Sequence, residues 1–239
     1  MDSIKLDTRT AKMIAHRGLS GIEKENTNAA FIAAGNRSYF GIETDVHKTV
    51  DGKFVIIHDD TTGRVAIDDL EVEKSTFETL RKLSLCDTDD KKGRADLHIP
   101  TLTEYISTCK RYGKTAVLEL KNAFTSDEIA AICDEIKGCD YLENVIFISF
   151  VFDNLVKLRE IIPESEAQFL VDSYSDDLPQ LLANYGFDLD IRYTELNAER
   201  IAAVHAVGAK VNCWTCNDKD RGEELCKWGV DFITSNILE

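Results

Sequence analysis

The chain has 239 residues, of which 44% are hydrophobic, and a formal net charge of −15 at pH 7. This length is typical of one large α/β domain, and a surface this negative argues against binding to nucleic acid or to an anionic membrane. An acidic N-terminal segment and the lack of a long uncharged apolar run predict neither a signal peptide nor a membrane span. We therefore expect one cytoplasmic domain covering residues 1–239, with its seven cysteines reduced.

Short β-rich runs alternate with longer amphipathic runs along the chain. Eight strands with intervening helices predict a (β/α)8 TIM barrel, which is an α/β fold, and the alternative is a doubly wound open sheet. The predicted strands span residues 12–16, 41–45, 115–120, 144–149, 166–171, 187–191, 209–214 and 230–234. Helical patterns fill most of the gaps, for example at 26–38, 101–112, 126–137, 152–161, 197–207 and 218–228.

The connection after the second predicted strand differs from the others. Asp51-Gly52 lies between two extended runs and predicts a β-hairpin. A two-residue turn would place Asp45 opposite His58 and so bring the histidine back to the end of the barrel strand. Residues 60–100 then form a long excursion with a helical pattern around 75–84, which predicts a functional lid or a small insertion.

Carboxylates recur on the inward face of two predicted strands. The period of two along a strand places Glu43 and Asp45 on one face, and Glu119 and Lys121 on one face of a later strand. Three carboxylates at strand ends favour a site for a hard divalent cation with oxygen ligands, because buried carboxylates are costly unless they are compensated. The alternative is a salt bridge, and Lys121 can either pair with Glu119 or hold a substrate phosphate.

Two of the five histidines also fall at predicted strand ends. His16 and His58 can supply a general base and a general acid on either side of a reacting phosphorus, although a lone histidine at a strand end is more often structural. Arg17 follows His16 and offers a planar fork that suits phosphate oxygens. Trp214 ends the seventh strand, where it predicts either core packing or an apolar wall for the substrate.

Two further motifs are weak. Cys213 and Cys216 match C-x-x-C, but their odd spacing predicts that the thiols point to opposite faces of a strand, which disfavours a redox pair or a zinc clamp. The run Asp87–Gly93 resembles a calcium loop, yet its glycine is displaced and the closing glutamate is absent. We therefore predict a solvated loop there.

Taken together, these segments resemble the glycerophosphodiester phosphodiesterase family, and the resemblance covers nearly the whole chain. Any single motif is weak, whereas the ordered set is specific. The matching segments are His16-Arg17-Gly18, Glu25-Asn26-Thr27, Gly41–Val46, Asp51-Gly52, Val55–Asp59, Leu118–Lys121, Ser149-Phe150, Val211–Asp218 and Gly229–Thr234.

The resemblance implies a metal-dependent enzyme that hydrolyses glycerophosphodiesters to an alcohol and sn-glycerol 3-phosphate. It implies an acid–base pair formed by His16 and His58. The implied ligands for Mg²⁺ or Ca²⁺ are Glu43, Asp45 and Glu119. The implied substrate contacts are Arg17 and Lys121 on the phosphate and Trp214 on the glycerol side.

The chain departs from the family at a few positions. Lys24 stands where a proline is usual, and we expect Asn26 to cap the helix that follows. The last strand ends in Thr234-Ser235-Asn236, where the family often has Asp-x-Pro. Neither departure falls on an implied catalytic position.

Two other functions compete with the hydrolysis of small glycerophosphodiesters. One is a related phosphodiesterase that acts on lysophospholipids or phosphoinositides, which the acidic balance of the chain disfavours. The other is a barrel that binds a phosphodiester or a metal without turning it over, since a fold alone does not give a function. The oligomeric state and the preferred alcohol are left open by the sequence.

Overall fold

Eight parallel strands close into a barrel in the computed structural model, which describes residues 2–89 and 94–239. Seven pairings run through the order β1, β9, β8, β7, β6, β5, β4, β2, and the pairing of β1 with β2 closes the ring. The predicted TIM barrel is thereby confirmed. The strands are β1 (Lys12–Ala15), β2 (Gly41–Lys48), β3 (Phe54–Ile56), β4 (Thr115–Leu120), β5 (Val145–Ser149), β6 (Glu166–Val171), β7 (Asp188–Arg192), β8 (Val211–Trp214) and β9 (Phe232–Ser235), of which β3 lies outside the ring.

Helices connect successive barrel strands. Two of them begin at capping boxes, in which Thr101 pairs with Glu104 and Thr125 pairs with Glu128, so the helix starts follow from local sequence. The helices are α1 (Asn28–Gly35), α2 (Phe77–Arg81), α3 (Leu102–Tyr112), α4 (Ser126–Gly138), α5 (Phe152–Ile161), α6 (Leu178–Tyr185), α7 (Ala198–Ala206) and α8 (Lys219–Trp228).

Apolar side chains pack on both faces of the barrel wall. Ile42 and Leu118 belong to the large layer between the strands and the helices, whereas Val117 belongs to a smaller cluster inside the barrel. Because side chains alternate along each strand, Glu43 and Glu119 share the inner face with Val117. The predicted inward orientation of these carboxylates is confirmed.

The hairpin after β2 has a different register from the predicted one. The Thr49 amide donates to the Lys53 carbonyl (2.8 Å), so the loop holds three residues rather than two. Gly52 takes a φ of +75°, as the last residue of a three-residue hairpin loop commonly does. Asp45 therefore lies opposite Ile57, and the Ile57 amide donates to the Asp45 carbonyl (3.2 Å). The predicted pairing of Asp45 with His58 is wrong.

Residues 60–100 pack as a small insertion. The insertion buries its own apolar cluster against Val55 and Ile57, and its members include Val65, Val72, Leu80, Leu97 and Ile99. Arg81 joins the insertion to α3 by donating two hydrogen bonds to the Glu104 carboxylate (2.8 Å each). The last residues of the predicted solvated loop, 90–93, lie outside the described residues.

Cys213 and Cys216 are both free and both lie in the apolar layer between the barrel and the helices. The prediction that they point to opposite faces is wrong, because β8 ends at Trp214 and its alternation does not extend to Cys216. Across residues 2–89 and 94–239, no helix has the length and apolar character needed to cross a bilayer.

Candidate active site

Three carboxylates meet at the C-terminal end of the barrel strands. The pairing of β2 with β4 places Asp45 beside Glu119, and Glu43 lies two residues earlier on the same face. Oxygens of all three side chains lie within 4.8 Å of one another, and each residue is at least 94% buried. Carboxylates this close and this buried repel one another strongly unless a cation lies among them.

The positive side chains nearby offset only part of this charge. Lys121 Nζ lies 3.0 Å from Glu119 and 3.5 Å from Asp45, and Arg17 Nε lies 3.8 Å from Asp45. Burial opposes ionisation of Asp45, but the Arg17 guanidinium and its other partners lower the pKa of that carboxyl below its usual range. Burial and the Asp45 charge raise the pKa of Glu119 to about 8 and that of Glu43 well above its usual range.

The carboxylate cluster fits a hard divalent cation better than it fits salt bridges alone. All its donor atoms are carboxylate oxygens, which are the ligands that Mg²⁺ and Ca²⁺ prefer. Among the described residues, Asp45 Oδ1 is buried without a hydrogen-bond partner. Burial and then the neighbouring carboxylates raise the pKa values of Glu43 and Glu119, although Arg17 and Lys121 act in the opposite direction.

Asn26 orients one of these carboxylates. Its Nδ2 donates to Asp45 Oδ2 (2.8 Å), and its Oδ1 accepts from the Thr44 hydroxyl (2.7 Å). Thr27 caps α1 instead, by accepting from the Ala30 amide. The prediction of an Asn26 cap is wrong because the Asn26 oxygen is already engaged by Thr44 and the side chain is turned into the site.

His16 lies at the end of β1 and is held by a residue that follows β9. Its Nδ1 lies 2.7 Å from Asn236 Oδ1, which also accepts from the Ser20 hydroxyl (3.0 Å). Since that oxygen only accepts, Nδ1 carries the proton, and the unprotonated Nε2 lies 4.0 Å from Glu43 Oε2. Burial, assisted by the Arg17 charge, lowers the pKa of His16 to about 4, so the ring is neutral at pH 7.

His58 follows β3, which pairs with the end of β2, and lines the same cleft as His16. Its Nδ1 lies 2.5 Å from Asp59 Oδ1, and its carbonyl accepts from His47 Nε2 (3.3 Å). Burial lowers the pKa of His58, while the Asp45 carboxylate acts in the opposite direction. Asp59 thus holds the His58 ring and His47 holds the His58 backbone. The position of His58 in the site does not depend on the predicted strand register.

One arginine of the insertion connects the surroundings of His58 and Arg17. Arg64 Nε donates to Asp59 (2.5 Å), and its two terminal nitrogens donate to Glu25 (2.7 and 2.9 Å). Glu25 also accepts from Arg17 (2.8 Å). Sequence reasoning missed Arg64, because a single arginine in an irregular segment carries no periodic signal.

A cleft of about 420 Å³ opens onto these groups. Its other end is apolar, and there Trp214 meets Phe150 edge to face with ring centroids 5.6 Å apart. The structure brings all eight predicted site residues together, since Asp45 and Lys121 adjoin the residues of the lining. The lining consists of His16, Arg17, Glu43, His58, Glu119, Ile148, Phe150, Leu170, Asp190, Trp214, Thr215 and Thr234.

The raised pKa of Glu119 has a measurable effect on stability. A carboxyl whose pKa is higher in the folded protein than in the unfolded chain contributes stability that is lost as pH rises through the folded value, here about 8. Between pH 6.5 and 8, EDTA-treated protein should therefore lose about 1–2 kcal/mol, which is a few degrees in Tm. Thermal unfolding at the two pH values measures this loss.

Glu119→Gln is the control for this prediction, because the amide does not titrate and the loss between pH 6.5 and 8 should shrink. The lowered pKa of Asp45 affects stability at lower pH, and that of His16 acts mainly below pH 6.5 and slightly opposes the loss within this window. An identical pH dependence in the variant would contradict the prediction.

Comparisons with known proteins agree with this geometry. The sequence pattern described as the glycerophosphoryl diester phosphodiesterase family matches residues 16–238. A glycerophosphodiester phosphodiesterase of Caldanaerobacter subterraneus subsp. tengcongensis is 30% identical over 232 residues, which cover 95% of this chain and 94% of that protein.

Solved structures extend the comparison to three dimensions. An Oleispira antarctica phosphodiesterase, determined in complex with the product sn-glycerol-3-phosphate, is 27% identical with a TM-score of 0.87, over 98% of this chain and 96% of that one. A glycerophosphodiester phosphodiesterase from Parabacteroides distasonis is 26% identical with a TM-score of 0.77, over 99% of this chain and 94% of that one. The chain therefore belongs to the glycerophosphoryl diester phosphodiesterase family and is an enzyme of that class.

Proposed function

We propose that this enzyme hydrolyses glycerophosphodiesters to an alcohol and sn-glycerol 3-phosphate, using two histidines and a Mg²⁺ or Ca²⁺ ion. The observation that carries the proposal is that His16 and His58 line one cleft together with Glu43 and Glu119. β1 and β3 both pair with β2, which supplies two of the three carboxylates. Two proton-transfer groups thus face the place where a phosphodiester would be held.

The phosphate end of the substrate is assigned to the charged end of the cleft. Glu43, Asp45 and Glu119 would hold the ion, which when bound neutralises negative charge on the diester and in the transition state. Arg17 is proposed to contact a phosphate oxygen, because its Nε is buried and has no hydrogen-bond partner in the part of the chain that the structure describes. Lys121 is proposed to act with it as a point charge.

The two histidines are proposed to have different roles. His16 presents an unprotonated Nε2 and is assigned as the base that accepts a proton from the attacking hydroxyl. His58 is assigned as the acid that protonates the leaving alcohol, because the Asp59 carboxylate at its Nδ1 orients the ring and opposes the lowering of its pKa by burial. The attacking group is proposed to be the glycerol 2-hydroxyl, which gives a cyclic phosphate that water then opens.

The remaining cleft residues are proposed to hold the organic part of the substrate. Trp214 and Phe150 supply an apolar wall on the glycerol side. We further propose that residues 1–239 act as one catalytic domain, because β1 and β9 lie near the two ends of the chain and pair with each other.

A coupled assay for sn-glycerol 3-phosphate tests the proposed reaction. Glycerophosphocholine and glycerophosphoethanolamine are the substrates, first with EDTA and then with Mg²⁺ or Ca²⁺ restored. Release that depends on the metal is the expected result. No release from either substrate with any divalent ion would contradict the proposal, and release of choline from lysophosphatidylcholine alone would replace it with a lysophospholipid substrate.

Arg64→Ala should lower kcat by about 10–100-fold, because Asp59 and Glu25 lose the group that fixes them and small misplacements of catalytic groups are costly. Arg64→Lys should restore activity only in part, since an ammonium cannot reproduce the fork. Steady-state kinetics on glycerophosphocholine measures both variants.

Arg81→Ala is the matched control, since Arg81 makes a similar pair of hydrogen bonds from the insertion to Glu104 of α3 but contacts no proposed site residue within residues 2–89 and 94–239. Equal losses of kcat in the Arg64 and Arg81 variants would mean that Arg64 acts only by holding the insertion.

A further inference from the structure

A buried carboxyl lies among the apolar walls of the cleft. Asp190 is the central residue of β7 and is 2% exposed, and it lines the cleft together with Leu170 and Trp214. The proposed reaction assigns it no role. A side chain of this kind inside a barrel needs a partner, because an unpaired buried polar group is costly.

The polar side chains near Asp190 are engaged with one another. Asn212, which lies beside Asp190 on β8, donates to Gln168 Oε1 (2.9 Å) and accepts from the Thr234 hydroxyl (3.2 Å). Asp190 Oδ1, in contrast, is buried with no hydrogen-bond partner among the described residues, and so is Gln168 Nε2. The barrel interior therefore presents an unused carboxyl to the cleft.

Packing alone does not account for an aspartate at this position. Leu170 and Ile148 line the same part of the cleft, and an apolar residue of similar size would fill the site without an unpaired oxygen. Burial raises the pKa of Asp190 well above its usual range. A neutral carboxyl can both donate and accept a hydrogen bond, which matches a hydroxyl group.

We propose that Asp190 binds a hydroxyl of the substrate's glycerol moiety and thereby selects glycerol-bearing phosphodiesters. The inference rests on the proposed function, since a phosphate held at the charged end of the cleft directs the organic part toward Asp190. A cationic head group fits this place less well. The Arg192 guanidinium already lies over the Trp214 ring, 5.5 Å from its centroid, and would repel a second cation.

Calorimetric titration of the metal-loaded protein tests the inference without requiring turnover. The probes are sn-glycerol 3-phosphate, ethyl phosphate, which has no hydroxyl on its carbon chain, and phosphocholine, which carries a cation. Wild-type protein should bind sn-glycerol 3-phosphate about tenfold more tightly than ethyl phosphate, the value of roughly one hydrogen bond. Asp190→Leu should abolish this difference, and Asp190→Asn should retain part of it.

Asp188→Asn is the matched control, because Asp188 lies on the same strand but outside the cleft, where it accepts a hydrogen bond from the Lys210 amide (2.7 Å). It should bind the three probes as the wild type does. Thermal unfolding of each variant checks that the fold is intact.

Several results would overturn the inference. They are equal binding of sn-glycerol 3-phosphate and ethyl phosphate by the wild type, an unchanged preference in Asp190→Leu, and a loss confined to phosphocholine, which would indicate a cationic head group. Equal weakening of all three probes would assign Asp190 a structural role and also overturn it. Absent turnover in the coupled assay together with the expected binding would contradict the proposed reaction alone.

Discussion

Replacing His16 or His58 with alanine should lower turnover of glycerophosphocholine by about 10²–10⁴-fold, the usual contribution of a positioned acid or base. The fold should be unaffected, because both side chains line the open cleft and not the apolar layer between the strands and the helices. Steady-state kinetics and thermal unfolding of each variant measure the two effects. Normal turnover in His16→Ala would remove it from the mechanism.

A substrate with a better leaving group distinguishes the proposed base, His16, from the proposed acid, His58. A glycerophosphodiester of 4-nitrophenol needs little protonation of its leaving group, so His58→Ala should recover much of its activity on that substrate. His16→Ala should not recover, since the attacking hydroxyl still requires a base. The matched control is His205→Ala, because His205 is an exposed histidine that pairs with Asp231 (2.8 Å) outside the cleft. Equal recovery in both active-site variants would contradict the assignment of acid and base.

Glu119→Gln should weaken divalent-cation binding by a factor on the order of 100 or more, since even a residue that only orients a ligand is worth about 10–100-fold. Turnover at low metal concentration should fall with it and recover as Mg²⁺ or Ca²⁺ is raised. Calorimetric titration of the EDTA-treated protein, followed by assays over a range of metal concentrations, measures both effects.

The pH dependence of metal binding gives a second measurement. Because the pKa of Glu119 is about 8 in the metal-free protein, the ion must displace a proton at lower pH, and its apparent affinity should rise as pH approaches 8. In Glu119→Gln the rise should be smaller. Glu128→Gln alters a helix-cap residue outside the carboxylate cluster and should bind metal as the wild type does. Unchanged affinity in Glu119→Gln would contradict the proposed ligand set.

The barrel and the carboxylate cluster are predictable from sequence because both depend on a period of two. Once Ile42 and Val117 are assigned to opposite faces of their strands, Glu43 and Glu119 must point inward. The hairpin register is wrong by one residue, since it depends on loop length and the left-handed Gly52, and Asp51-Gly52 fits both a two-residue and a three-residue loop.

Other site features depend on contacts between distant parts of the chain. Arg64 joins Glu25 and Asp59 across an irregular segment, and Asn26 turns away from its helix toward Asp45. No local pattern specifies these contacts. Asp190 is noticeable in the sequence, because an aspartate in the middle of a predicted barrel strand is unusual. The alternation of side chains along the strand does not show, however, that the Asp190 oxygen has no hydrogen-bond partner among the described residues.

The seam between β1 and β9 joins the first and last strands of the ring, and His16 lies on it. The His16 amide donates to the Ser235 carbonyl (2.8 Å), and its ring is held by Asn236. The carboxylates stand elsewhere, on β2 and β4. If this seam opened, His16 would lose the Asn236 contact that orients its ring, while the carboxylates would stay on β2 and β4, so turnover should depend on the docking of the last strand more strongly than metal affinity does.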